Sequence, residues 1–282
     1  MKTVLIPVDS SATTLNVIDY AAEFCKYAPV DRIILLSTYY TSVYTQFLPS
    51  ADYVQLCQED MDRERARIKA VVDGLCDTLT ARLDNKVKVQ VAITEDPLVR
   101  SVKQINEQEK PNLIIAGSDG NTYVEHSSIS KLLINIARTS TVSVLIVPVN
   151  YKHQPVKKVV LAVDFKTVLN TELLSAIESR YNWFHPEMLV LNVDASKNPF
   201  ETDEERAIVE EKLGQILKNF DHKVYYEQDR DILHGITTFA NENNANMIIA
   251  LPGKHSFFYN LTHNSITEGL YNDAAQPVLV LK

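Results

Sequence analysis

The chain has 282 residues, 45% of them hydrophobic, enough for two domains with buried cores. With 28 Lys+Arg against 36 Asp+Glu the formal charge is -8, and there is no basic run or face, which argues against nucleic acid and anionic membrane as partners. Cys25, Cys57 and Cys76 are too few and too scattered for a disulfide framework or a zinc knuckle. The start MKTVLIPVDSS is too short and broken for a signal peptide, and no segment reaches about 18 apolar residues, so a reducing cytoplasm is expected.

In chain order, Lys2 to Val8 is an apolar, β-branched run ended by Asp9, Ser10 and Ser11, residues that favour turns and helix N-caps. Val17, Ile18, Ala21, Ala22 and Cys25 then recur at helical spacing, and Arg32 to Ser37 is a second apolar run. Continuous apolar runs predict strands covered on both faces, hence a parallel sheet between helices. Tyr39 to Leu56 is irregular and aromatic, expected as an extra loop that covers a pocket or packs on a partner. A long helix comes next, through about Leu83, with Met61, Ile68, Val71, Val72, Leu75 and Leu79 as its apolar stripe. Lys86 to Thr94 alternates as a strand does, Pro97 to Gln108 is helical, and Leu113 to Ala116 is buried strand. Gly117 and Gly120 mark a tight loop, a helix starts near Ser128, and Val142 to Val147 closes the series.

The polar stretch 150–156 (NYKHQPV) is a boundary, and the second half of the chain repeats the first. KKVVLAVD at Lys157 to Asp164 echoes KTVLIPVD at Lys2 to Asp9, and PVLVL at Pro277 to Leu281 echoes SVLIV at Ser143 to Val147. Met188 to Val193, Lys223 to Tyr226 and Ala245 to Ala250 echo the intervening strands. Self-similarity on this period predicts duplication of one α/β domain, with units at residues 1–150 and 155–282.

Ligands of an open parallel sheet bind outside the carboxyl ends of its strands, which places Asp9 beside Gly117 and Gly120. Glycine is scarce here, 7 in 282 residues against a usual frequency of roughly 7%, so two glycines three apart are informative. A loop that needs positive φ or close backbone approach can wrap a phosphate. Walker A, GxGxxG, GxSxG and zinc-spaced His/Cys patterns are all missing.

The PVD ending of the first strand, GSDG after the fourth, Ser130 and Lys131 nine residues on, and VLIV at the close resemble the universal stress protein family in tandem form. The resemblance implies an α/β chain of two tandem open five-stranded parallel-sheet sandwiches, Rossmann-like and adenine nucleotide alpha hydrolase-like, in strand order 3-2-1-4-5. It implies that the last strands, Ser143 to Val147 and Val278 to Leu281, pair within one chain as an intrachain pseudo-dimer, which a homodimer could extend. It also implies a non-enzymatic stress-response role, and an ATP or AMP site in the first domain at Asp9, Gly117 and Gly120; Ser128, Ser130 and Lys131 at the helix start are added to that site as residues that could draw an anion.

Departures from the family pattern bear on that site. Ser130 and Lys131 stand where the family has Gly-Ser, so a Cβ meets the phosphate approach, and Asp119 and Glu125 add negative charge. A like-charge contact costs on the order of 4 kcal/mol at about 4 Å and an effective dielectric near 20. Lys131 and a helix start rich in serine (Ser127, Ser128, Ser130) could still draw an anion. In the second half Leu251 and Lys254 replace the loop glycines, Pro252 offers no N–H, and Phe257 and Phe258 are expected to fill the space, so no nucleotide is expected there. Lys254, His255, Ser256 and His263 form a small cationic cluster. A protein-interaction module with vestigial pockets is the alternative function, and a slow ATP hydrolase ranks last.

Overall fold

In the computed structural model, the described residues are 2–39, 51–84, 86–120, 127–165, 177, 185–194, 202–251 and 274–282, with only the backbone of 51–58. The aromatic segment 40–50 and the Lys254, His255, Ser256 and His263 cluster lie outside them, as do Glu125, Pro252, Phe257 and Phe258.

The strands are β1 Thr3–Pro7, β2 Arg32–Thr38, β3 Lys88–Thr94, β4 Leu113–Ser118, β5 Val144–Pro148, β6 Lys158–Ala162, β7 Glu187–Asp194, β8 His222–Gln228, β9 Met247–Ala250 and β10 Val278–Val280. The helices are α1 Ala12–Tyr27, α2 Ala51–Arg82, α3 Leu98–Glu109, α4 Ser128–Thr139, α5 Asp203–Ile216 and α6 Ile232–Glu242. Two boundaries depart from expectation. α2 begins at Ala51, with Asp52 in its first turn, so Tyr53 to Leu56 are helix and not loop. β4 runs on through Gly117 to Ser118, so Gly117 belongs to the strand.

The two five-stranded sheets expected of the halves are joined into one ten-stranded sheet, in the order β3-β2-β1-β4-β5-β10-β9-β6-β7-β8. Every neighbouring pair is parallel except β5 with β10, where Ile146, Leu145 and Val144 oppose Val278, Leu279 and Val280. The reason is the apolar character of both strands: each would otherwise leave an unpaired backbone edge flanked by buried side chains. The pairing expected of these two segments is present. Each run of five strands keeps the order 3-2-1-4-5, the second reflected across the joint.

One face of the sheet carries α1, α2 and α5, whose Val17, Ile18, Val72, Leu79 and Leu213 pack on Val4, Ile6, Val159 and Leu161. The other carries α3, α4 and α6, with Val102, Leu133 and Ile236 on Leu5, Ile114, Val160 and Ile248. Residues of opposite parity along each strand serve the two faces, so the strands read as continuous apolar runs.

The same fastening recurs in both halves. Asn112 Oδ1 accepts from the N–H groups of Lys2 and Thr3 at 2.9 and 3.0 Å, and its own N–H donates to the Thr3 carbonyl. Asn246 Oδ1 accepts from Lys157 and Lys158 at 2.9 and 3.1 Å, and its N–H donates to the Lys158 carbonyl. Two residues before each asparagine the chain turns through left-handed backbone, at Lys110 (φ 44°) and Asn244 (φ 52°). The segment between halves is tied down by aromatic contact: His153 stacks on Tyr27 and meets Tyr20 edge-on, while the Tyr151 hydroxyl donates to the Asn246 carbonyl at 3.0 Å.

Candidate functional site

β1 delivers Asp9 to the carboxyl edge of the sheet, and Ser11 begins α1 by capping it, its Oγ accepting from the Thr14 N–H at 3.2 Å. α4 starts on the neighbouring side, capped by Ser127, whose Oγ accepts from the N–H groups of Ile129 and Ser130. The two helix starts meet on the Asp9 carboxylate. Its Oδ1 accepts from the N–H and hydroxyl of Ser11 and from Thr14 Oγ1 at 2.7 Å. Its Oδ2 accepts from Ser127 Oγ at 2.7 Å, Ser128 N–H at 2.9 Å and Ser128 Oγ at 3.0 Å.

Burial alone would push the Asp9 carboxyl up. Hydrogen bonds from Ser11, Ser127 and Thr14 outweigh it and hold the group at about 2, so it stays ionised. A second carboxylate sits close by. Asp119, 5% exposed, accepts from the Thr13 hydroxyl and from the Ser127 N–H at 2.9 Å. Thus Ser127 bridges two acids, one through its hydroxyl and one through its N–H, and the positive end of α4 is matched by charges from within the chain.

Of the residues expected at the site, Asp9, Ser128 and Ser130 come together. Ser130 Oγ accepts from the Asp119 N–H at 2.9 Å, which closes the turn after β4. Gly120 holds that turn's positive φ, 61°, and its N–H donates to Ser118 Oγ at 3.2 Å. Gly117 serves packing instead. A Cβ there would stand 2.4 Å from Thr13 Cγ2 and 2.8 Å from Val17 Cγ2, so the glycine lets α1 lie close on β4. Lys131 is exposed, and its N–H belongs to the first turn of α4. Sequence reasoning missed Thr13 and Thr14 as partners of the two acids; the run of hydroxyl residues after Asp9 was the available signal.

Among the described residues, open space lies on the other side of Asp9. A cleft of about 120 Å³ has Asp9, Ser10, Ser37 and Thr38 at the ends of β1 and β2, under a roof of Glu64, Arg67, Ile68, Val71 and Val72 from α2. Among the described residues, the equivalent place in the second half is occupied by an aromatic side chain. β1 and β6 pair with β4 and β9 in the same register, Val4 to Leu113 and Val159 to Met247, so Asp164 matches Asp9 and Phe165 matches Ser10. Phe165 is 4% exposed and meets Tyr226 edge-on at 5.4 Å. Arg206 lies 4.6 Å over the Tyr226 ring, and the Tyr226 hydroxyl donates to Glu210 at 2.6 Å, which keeps the plug in place. Leu251 stands where Gly117 does. Among the described residues no group of three His, Cys, Asp or Glu is placed to hold a metal ion, and no helix is long and apolar enough to cross a membrane.

The model of the Universal stress protein family matches residues 1–148. The chain belongs to the universal stress protein family. Solved structures extend the likeness of fold over its full length. A universal stress protein from Archaeoglobus fulgidus DSM 4304 is 21% identical, with a TM-score of 0.65 over 99% of this chain and 96% of that one. A functionally unknown protein from Pseudomonas aeruginosa PAO1 is 14% identical, with a TM-score of 0.59 over 100% of this chain and 92% of that one. A comparison with curated proteins gives no match. Within this universal stress protein, one feature of the described residues sets the halves apart: in the second a phenylalanine, Phe165, stands at the place of Ser10.

Proposed function

We propose that this chain is a non-enzymatic regulatory binding protein of the universal stress type, made of two copies of one α/β unit, with a single small-ligand cleft in the first. The observation that carries the reading is the contrast at equivalent positions: beside Asp9 the chain has Ser10 and an open cleft, beside Asp164 it has buried Phe165. The recurring Asn112 and Asn246 fastenings support duplication, since no local rule requires an asparagine there in both halves. The resemblance supplies an adenine-bearing small molecule as the ligand class, with ATP and AMP as its phosphorylated members. The non-enzymatic part rests on Asp9, whose oxygens are engaged by six donors and serve poorly as a base. The free thiols of Cys25 and Cys76 fit a cytoplasmic setting, and the β5–β10 joint makes the chain a pseudo-dimer by itself.

Titration calorimetry of the full chain with ATP, AMP and adenosine tests the reading. One site per chain is expected, lost in Ser10→Phe with the fold intact, together with phosphate release no faster than a buffer blank. A stoichiometry of two, or binding untouched by Ser10→Phe, refutes it. A second reading, an interaction module that works by protein contact, is favoured by the capped start of α4; it predicts no heat from any of the three ligands up to millimolar concentration.

A further inference from the structure

The open volume and the helix start lie on opposite sides of Asp9, and they offer a ligand very different things. We infer that the molecule accepted is an uncharged nucleoside or comparable neutral heterocycle, and not one that presents phosphate groups to the start of α4. This rests on the reading of the cleft as a small-molecule site.

A phosphate held at a helix start needs backbone N–H groups that have no other acceptor. Among the described residues around α4 they are already used. The N–H of Asp119 goes to Ser130 Oγ, that of Gly120 to Ser118 Oγ, that of Ser127 to Asp119 Oδ2 and that of Ser128 to Asp9 Oδ2. The N–H groups of Ile129 and Ser130 go to Ser127 Oγ, and that of Lys131 to the Ser127 carbonyl. Each of these described donors is thus satisfied from within. A phosphate seated here would have to displace two carboxylates, and one of them, Asp119, is 5% exposed and also bonded to Thr13. If it stayed beside them instead, it would meet two like charges against the exposed cation of Lys131.

The cleft itself asks for no phosphate. Ser10, Ser37 and Thr38 offer hydroxyls, Ile68 and Val72 an apolar wall, and Arg67 is offset by Glu64 on the same helix. Hydroxyl donors and acceptors beside an apolar wall suit a flat polar ring, whose hydrogen bonds fix orientation while its faces are buried.

The test is equilibrium binding to the full chain with adenosine, AMP, ATP and inorganic phosphate as probes. Adenosine is expected to bind at least tenfold more tightly than AMP, ATP more weakly still, and phosphate not at all. Asp9→Asn, checked for folding by its melt, is expected to narrow the adenosine to AMP ratio by strengthening AMP. Should that variant fail to fold, the wild-type ratio is expected to shrink as salt rises, because screening weakens the repulsion. AMP or ATP binding as tightly as adenosine overturns this inference and leaves the cleft reading standing. No binding by any nucleoside or nucleotide overturns both.

Discussion

Leu145 and Leu279 stand opposite each other in the sheet's antiparallel strand pair, 1% and 3% exposed, and both belong to the core shared by the two halves. Loss of either side chain therefore weakens the joint and the core together. Leu279→Ala is expected to lower stability by about 2–5 kcal/mol. Urea denaturation followed by far-UV circular dichroism checks the size. It also checks whether the β5–β10 joint couples the halves strongly enough for the wild type to unfold in one transition, which is the expected result.

Acid should find the Asp9 contact. The group has an ordinary value of 3.8 and lies at about 2 in the fold, so its ionised form stabilises the native state above roughly pH 4. That contribution is lost as pH falls through about 2. Because Asp9 is only half-buried, solvent screening trims it to on the order of 1–2 kcal/mol. Stability measured between about pH 5 and pH 2 is expected to fall less steeply in Asp9→Asn than in the wild type, with the variant less stable at neutral pH.

At Gly117 the expected change is small in size and clear in sign. Gly117→Ala drives a Cβ into Thr13 Cγ2 and Val17 Cγ2, both on β-branched side chains with little rotameric escape. A cost of about 1–3 kcal/mol results from overpacking. Thr13→Ser in the same chain removes the nearer methyl and should recover part of it, a coupling that a double-mutant cycle in urea measures directly.

How much of this was legible in the sequence depends on how local the cause is. The apolar runs marked β1, β2, β4 and β5, because a strand buried on both faces needs nothing beyond its own residues. Asp9, Ser128 and Ser130 were legible as turn and cap chemistry. What Asp9 binds was not, since Ser127 lies 118 residues away and only the β1–β4 pairing brings the two helix starts together. Gly117 stood out for its scarcity, yet its reason is the crossing of α1 over β4 and not a positive φ. The plug in the second half was expected from Phe257 and Phe258, which lie outside the described residues; Phe165, one residue past the repeated Asp164, fills the equivalent place.

Phe165→Ala should hollow out that place. A loss of about 3–5 kcal/mol is expected, since the ring is 4% exposed and packs on Tyr226. Thermal melts of the variant with and without adenosine separate two outcomes: a second, created site raises the melting temperature with ligand, whereas collapse of Tyr226 and α5 into the gap leaves the lower temperature unchanged.

The head-to-head meeting of β5 and β10 turns the two halves of the sheet in opposite senses. Asp9 therefore looks out over one rim of the molecule and Asp164 over the far rim, five strand spacings or roughly 24 Å across the sheet. A partner able to read the proposed cleft beside Asp9 would meet only one of the two rims, since the cleft's described residues all lie on the Asp9 side. Assembly through that rim would leave the Asp164 rim outward.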